Sequence, residues 1–366
     1  MGIATMQRSI PYMQYRGGSS KGLYFCVHDL PADPVLRDRV LIAAMGSGQT
    51  QIDGLGGGTS LTSKVAIVGP SSSSDADVEY LFAQVVIDGN RVDTTPNCGN
   101  ILAGVAPFAI ESGLIKSTDG ITKVRIHMLN SGSQCELSVQ TPGGHVDYAG
   151  DTRINGVPGS AAPIACNYLD IAGSACGSLL PTGNRIDVVD DVEVTCIDNG
   201  MPVVVLRAND MGIAGYETPE ELNSNEDLMK KLQSIRIQIG PKMNLGDVDG
   251  AAVPKMCMIS PPLKNGIFNT RTFIPYRCHS AIGVLGAVSA ATAAIIPGTV
   301  TERIARVPTG SKLNLIVEHP SGELSINLEV DEQVNPPHVF KAGVVRTARL
   351  LSRGELYVPE HIFITE

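Results

Sequence analysis

Lys64 and Cys98 are the residues of this chain whose types and surroundings suit proton chemistry. Cys98 sits in Thr95-Pro96-Asn97-Cys98-Gly99-Asn100, and the small, apolar run from Ile101 to Ile110 that follows reads as a buried helix. The first N–H groups of a helix lack intrahelical partners and its dipole favours negative charge, so a thiolate or a bound carboxylate is stabilised there. Lys64 opens the apolar strand Lys64-Val65-Ala66-Ile67-Val68, where a fully solvated lysine is not expected. Partial burial disfavours the charged form of a lysine and leaves an amine able to take up a proton. Each residue alone also has a structural reading: a free cysteine packs as a small hydrophobe, and a lysine at a strand end snorkels to solvent.

Other residues extend the set. Arg16-Gly17-Gly18-Ser19-Ser20-Lys21-Gly22 has the composition of a phosphate loop but not the Gly-x-x-x-x-Gly-Lys-Ser/Thr spacing, and no helix adjoins it. Gly18, Ser19 and Ser20 read either as an ordinary hairpin turn or as backbone and hydroxyl donors for carboxylates. Gln51-Ile52-Asp53-Gly54-Leu55-Gly56-Gly57-Gly58 permits close backbone approach ahead of Lys64. In the second half, Arg271 and Cys278-His279 offer groups that pair with carboxylates. No histidine pair has i, i+4 spacing, and the eight cysteines contain no Cys-x-x-Cys. No metal, no disulfide framework and a reducing, cytoplasmic setting are therefore expected.

The elements that position these residues repeat. Lys64-Val65-Ala66-Ile67-Val68-Gly69-Pro70 has the layout of Lys255-Met256-Cys257-Met258-Ile259-Ser260-Pro261. Pro96-Asn97-Cys98 and its apolar run match Pro275-Tyr276-Arg277-Cys278-His279 and the run Ala281 to Ile296. A strand and turn follow each: Lys123 to Asn130, and Leu313 to His319 before Pro320-Ser321-Gly322. Each half opens on a strand ending in a turn, Ile10 to Tyr15 and Val192 to Ile197. The expectation is an α+β chain of two modules, 1–184 and 185–366, each a mostly antiparallel sheet wrapped around one enclosed helix that starts near Asn97 or Cys278. The C-terminal strand is free to return to the first module, and a cleft between the modules is the expected site. Thr218-Pro219-Glu220-Glu221 predicts a capped surface helix, and Glu111-Ser112-Gly113 a helix end.

Bulk properties narrow the classes. At 366 residues the chain exceeds one ordinary core. A net charge of −9 argues against nucleic acid or an anionic membrane as partner. Ala281 to Ile296 is too short and too polar at Ser289 and Thr292 to span a bilayer. Met1 to Tyr15 shows no secretory pattern. A homodimer is compatible with the sequence.

Asn97-Cys98-Gly99-Asn100, the lysine strand Ser60 to Lys64, Arg16 to Gly22, Gln51 to Gly57 and Asp77 to Gln84 together resemble the diaminopimelate-epimerase-like fold. More closely, they resemble its 4-oxalomesaconate tautomerase and methylaconitate isomerase family. They cover the first module densely and the second sparsely. The resemblance implies isomerisation of an unsaturated polycarboxylate without cofactor, with Lys64 and Cys98 as the catalytic pair. The length and Asn100-Ile101-Leu102-Ala103-Gly104-Val105 are most similar to the branch acting on oxalomesaconate in gallate breakdown. Alternatives are 2-methylaconitate cis-trans isomerisation, 3-methylitaconate or aconitate Δ-isomerisation, an amino-acid epimerase, and a non-catalytic carboxylate-binding protein. Cys278-His279-Ser280 departs from the Ala-Cys-Gly-Thr-Gly of two-thiol epimerases, so the second thiol is not expected to act. The substrate, a di- or tricarboxylate, would lie against Gly18, Ser19, Ser20, Asn97, Gly99, Asn100, Arg271, His279, Ser321 and Gly322. Its charge, delocalised as a dienolate, would be stabilised by these donors. Which of Lys64 and Cys98 is base and which acid stays open.

Overall fold

β1 (Gln7–Gly17) and β2 (Ser20–Cys26) form a hairpin across the Gly18–Ser19 turn. The computed structural model describes residues 6–364 apart from 47, 88, 170 and 332, so the first five residues of the segment read for a leader lie outside it. α1 (Pro34–Met45) follows, capped by Asp33, whose carboxylate accepts from the Leu36 N–H at 2.8 Å, with Pro34 in the first turn. β3 (Lys64–Pro70) then runs parallel to β2, and β4 (Val78–Val85) antiparallel to β3. After the short β5 (Val92–Asp93) come α2 (Gly99–Leu102) and α3 (Val105–Glu111). β6 (Gly120–Met128) is parallel to β4, and β7 (Ser133–Thr141) closes the run antiparallel to β6.

Alternation along these strands gives the sheet two apolar faces. Ile10, Leu23, Phe25, Val65, Ile67, Ala83 and Val85 pack on α1 through Val40, Leu41 and Met45. Tyr15 and Tyr24 point the other way, onto Phe108 of α3, with ring centroids 6.5 and 5.8 Å away. Each such buried side chain contributes roughly 1.5–3 kcal/mol. α1 was not among the elements read from the sequence, although Asp33-Pro34 is a start signal.

The expected single helix over 101–110 is two helices. Pro107 has no N–H to bond the Ala103 carbonyl, so the ladder breaks there. Gly104 fills the break because the Tyr24 ring lies against it: a methyl at Gly104 would sit 2.4 Å from the Tyr24 hydroxyl oxygen.

Compact units divide at Cys166/Asn167 and Val344/Val345: residues up to Cys166 and from Val345 form one, Asn167–Val344 the other. β8 (Ile164–Leu169) leads out of the first. In the second, β9 (Asp187–Val189) pairs with β10 (Val192–Asp198). β10 is antiparallel to β11 (Pro202–Arg207), which is parallel to β12 (Lys255–Ser260). β12 is antiparallel to β13 (Phe268–Phe273), and β13 parallel to β14 (Lys312–His319). β14 is antiparallel to β15 (Gly322–Asp331) and β15 to β16 (His338–Arg346). The series antiparallel, parallel, antiparallel, parallel, antiparallel from β10 to β15 repeats that of β1, β2, β3, β4, β6 and β7. Finally β17 (Ala348–Pro359) returns to pair with β1.

α4 (Pro219–Ser224) carries the expected cap: the Thr218 hydroxyl accepts from the Glu221 N–H while the Glu221 carboxylate accepts from the Thr218 N–H. α5 (Glu226–Ile239) continues from it, burying Leu228, Leu232, Ile235 and Ile239. The second enclosed helix, α6 (Val284–Ile295), is buried from Val284 to Ala293 but starts later than expected. Cys278 bridges Phe273, and the His279 N–H donates to the Thr272 carbonyl at 2.7 Å, so β13 holds this segment extended until Gly283. No helix among the described residues is long and apolar enough to cross a membrane.

Candidate active site

Lys64 stands first on β3, in register with Gly22 on β2 and Gln84 on β4. Tyr15 is in register with Gly22, so the four form one row on the sheet face that carries α2 and α3. The Lys64 Nζ donates to Gln84 Oε1 at 2.8 Å and lies 5.0 Å from the Phe82 ring centroid. Gln84 is itself fixed, its Nε2 donating to the Ser63 carbonyl at 2.7 Å and the Ser60 carbonyl at 3.3 Å. Behind it, Gln51 Nε2 donates to Ser63 Oγ (2.6 Å), which donates to the Val85 carbonyl (2.8 Å). These contacts hold the glycine-rich loop and the lysine strand in one arrangement. Gln84 and Gln51 lay in segments read for resemblance, but neither was assigned a role; their partners are 20 and 12 residues away, beyond any local pattern.

Cys98 is the N-cap residue of α2. It is half-buried, and among the described residues its thiol makes no hydrogen bond. Its carbonyl accepts from the Leu102 N–H at 2.9 Å and from the Tyr80 hydroxyl at 3.5 Å. The fully buried Tyr24 donates to the Ile101 carbonyl at 2.5 Å, and burial, with Cys98 nearby adding, holds this phenol far above its ordinary range. The helix is only four residues long, so the sustained dipole expected at Cys98 is not present.

The Gly18–Ser19 turn folds onto the same helix start. Asn100 Nδ2 donates to Ser19 Oγ at 3.2 Å, and its Oδ1 accepts from the Ser19 N–H at 3.4 Å. Gly18 has φ +52°, and a methyl there would lie 2.1 Å from Asn100 Oδ1, so only glycine fits. Gly22 bridges to the lysine: its Cβ position is 2.6 Å from the Lys64 carbonyl oxygen and 3.0 Å from Ile101 Cδ1. The first-unit set, Gly18, Ser19, Ser20, Lys64, Asn97, Cys98, Gly99 and Asn100, is thus gathered where β1, β2 and β3 meet α2. Two of its polar atoms are buried and unpaired, Ser20 Oγ and Asn97 Oδ1. A buried polar atom without a partner calls for one, which water or a ligand can supply. The Ser20 hydroxyl can donate to a carboxylate, and turning the Asn97 amide over presents its NH₂.

In the second unit, Arg271 is buried on β13, donating from Nε to the Glu217 carbonyl (2.7 Å) and from Nη1 to Asn269 Oδ1 (2.9 Å) and the Thr270 carbonyl (2.8 Å). His279 Nδ1 accepts from the Ala281 N–H at 2.8 Å, which leaves its ring proton on Nε2. Ser321 and Gly322 form the β14–β15 turn, with Ser321 Oγ 3.2 Å from His319 Nδ1.

The counterparts of the catalytic candidates differ sharply. Lys255 opens β12 as Lys64 opens β3, but burial, reinforced by Arg236, pushes it down to about 8. Cys278 is buried, its thiol contacts the His279 carbonyl at 3.7 Å, and burial pushes it up to about 11. Cys26, His28 and Asp29 place possible ligand atoms within 4.8 Å of one another. They stand four residues along β2 from Gly22, roughly 13 Å away, and take no part in the Lys64 site.

The chain has the diaminopimelate-epimerase-like fold and is an isomerase. The chain belongs to the PrpF protein family, which it matches over residues 7–359. It is 55% identical over 349 residues to the 4-oxalomesaconate tautomerase of Pseudomonas putida, covering 95% of this chain and 96% of that one. It is 52% identical over 351 residues to the (4E)-oxalomesaconate Delta-isomerase of Novosphingobium sp., covering 96% and 98%. The crystal structure of a methylitaconate-delta-isomerase is similar at a TM-score of 0.87 and 35% identity, covering 98% of each chain.

Proposed function

We propose that this isomerase acts on 4-oxalomesaconate in the breakdown of gallate-type aromatic acids, with Lys64 and Cys98 as its proton-transfer pair. The observation that carries the chemistry is the joint placement of the Gln84-held Lys64 and the unbonded Cys98 thiol around one helix start with unpaired Ser20 and Asn97 atoms. The names of the relatives above support the substrate.

In the reaction, neutral Lys64 removes a proton from carbon and the C–H electron pair delocalises as a dienolate onto a keto or carboxylate oxygen. Donors at Ser19, Ser20, Asn97, Gly99 and Asn100 stabilise that charge as it develops. The Cys98 thiol returns a proton at the other end of the conjugated system, and one proton lost and one gained leave an isomer. The roles reverse in the opposite direction. In the second unit, Arg271, His279, Ser321 and Gly322 are proposed carboxylate-binding residues. No cofactor enters the scheme, and the eight free cysteines support a reducing, cytoplasmic setting.

The test is the ultraviolet absorbance of oxalomesaconate, methylaconitate and aconitate incubated with the purified chain. Oxalomesaconate is expected to give the highest kcat/KM. Faster conversion of either other acid overturns the substrate, and conversion of none overturns the reaction class proposed for it.

A further inference from the structure

Arg16 stands in register with Arg349 on β17 and with Lys21 on β2. Directly opposed residues project to the same face, so three cations lie in a row across β17, β1 and β2. The adjacent row, Tyr15, Gly22 and Lys64, faces α2 and α3. Like charges directly opposed on a sheet destabilise it. Among the described residues, none of the three makes an ion pair.

Beside them is a cavity of about 350 Å³. Arg16, Arg349, Thr347 and Thr152 line its polar side, and Ile154 and Val157 contribute apolar surface. Arg16 is held in place by Nη1, which donates to the Gly18 carbonyl (2.9 Å), the Thr347 carbonyl (2.9 Å) and Thr347 Oγ1 (3.0 Å). Its Nε and Nη2 remain for a ligand. Burial, with the charge of Arg349 adding, acts against the charged form of Arg16. A bound anion would offset both effects.

We propose that this cavity is a second anion site, which takes a small polycarboxylic acid. Two guanidinium groups from neighbouring strands match a carboxylate or phosphate equally in charge and fork geometry. The apolar wall of Ile154 and Val157 decides for an organic acid, because inorganic phosphate has no carbon skeleton to place there.

Arg16 also holds the Gly18 turn, so Arg349, which is exposed and makes no hydrogen bond or ion pair among the described residues, is the residue to change. Citrate and inorganic phosphate are titrated calorimetrically at low salt into the wild type, Arg349→Glu and Lys64→Met. The expected result is a citrate-binding event that persists in Lys64→Met and weakens at least about tenfold in Arg349→Glu, with phosphate binding more weakly than citrate. Without ligand, Arg349→Glu should melt no lower than the wild type, since it breaks the like-charge row. If it melts lower, Arg349→Ala, which removes charge without reversing it, must show the same loss of binding. Citrate binding that disappears in Lys64→Met, that survives both Arg349 changes, or that phosphate equals, overturns the proposal.

Discussion

Lys64 and Lys255 occupy the same place in two copies of one strand pattern, at the start of the third strand, yet their neighbours are opposite in kind. Opposite Lys64 is Gln84, a clamped amide that accepts from the Lys64 Nζ without adding charge. The register Met256↔Phe273 puts Ile274 opposite Lys255, which among the described residues has no hydrogen-bond partner and faces the charge of Arg236 instead. The thiols divide in the same way: Cys98 is half-buried and unbonded, Cys278 buried and pushed up to about 11. The repeated scaffold places a lysine and a cysteine in each unit. Only in the first does the lysine have a polar side-chain partner among the described residues.

The largest test of that difference is to delete the first-unit pair. Positioned proton transfer contributes about 10²–10⁴-fold, so Lys64→Met or Cys98→Ala should lower kcat by that factor. Thermal melts should move little, because among the described residues the Lys64 side chain makes one hydrogen bond and the Cys98 thiol none. Turnover by Lys64→Met within a few-fold of wild type would show that the comparison has been drawn between the wrong residues.

What the sequence made legible follows from what local pattern can encode. Apolar runs opened by lysine gave the strands, an all-apolar run gave α6, and Thr218-Pro219-Glu220-Glu221 gave a cap that the structure reproduces. Asn97 to Asn100 and Gly18 to Ser20 proved to be neighbours. Failures arose where tertiary contacts override pattern. Pro107 and the Tyr24 ring split the first helix, and β13 captures the backbone after Cys278 and delays the second. Gln84 was invisible as a partner because strand alternation assigns its face but not the lysine across from it.

The next change sharpens the role of that partner. In Gln84→Glu a carboxylate replaces the neutral acceptor 2.8 Å from the Lys64 Nζ and favours the ammonium form. The ascending, acid-side limb of the pH–rate profile should move up by about one unit, with roughly tenfold slower turnover at neutral pH that recovers as pH rises. A uniform loss at every pH would mean that Gln84 is structural only.

Lys255→Met probes the second unit through stability. The folded-state value of about 8 lies below the ordinary 10.5 of a lysine. Between those values the unfolded chain binds more protons, so for this group stability rises with pH over that window and its penalty is full below about 8. Removing the charge should stabilise the fold at pH 7 by on the order of 1–2 kcal/mol, discounted from the full shift because Lys255 is only partly buried by accessibility. Denaturant melts at pH 7 and pH 10 should show the gain shrinking at the higher pH. A gain that is equal at both would remove the charge from the explanation.

The smallest effect is expected from Cys278→Ala. Burial keeps this thiol protonated at neutral pH, its sulfur contacts the His279 carbonyl, and Arg271 beside it is already bonded to Glu217, Asn269 and Thr270 within its own unit. Losing one buried sulfur should cost about 1 kcal/mol of stability and leave kcat within a few-fold of wild type. The sharp measurement is kcat for Cys98→Ala and Cys278→Ala on one substrate under one condition. If the second falls as far as the first while both remain folded, proton transfer runs through a thiol from each unit, as in a two-thiol epimerase. The asymmetry between Lys64 with Cys98 and Lys255 with Cys278 would then concern stability, not chemistry.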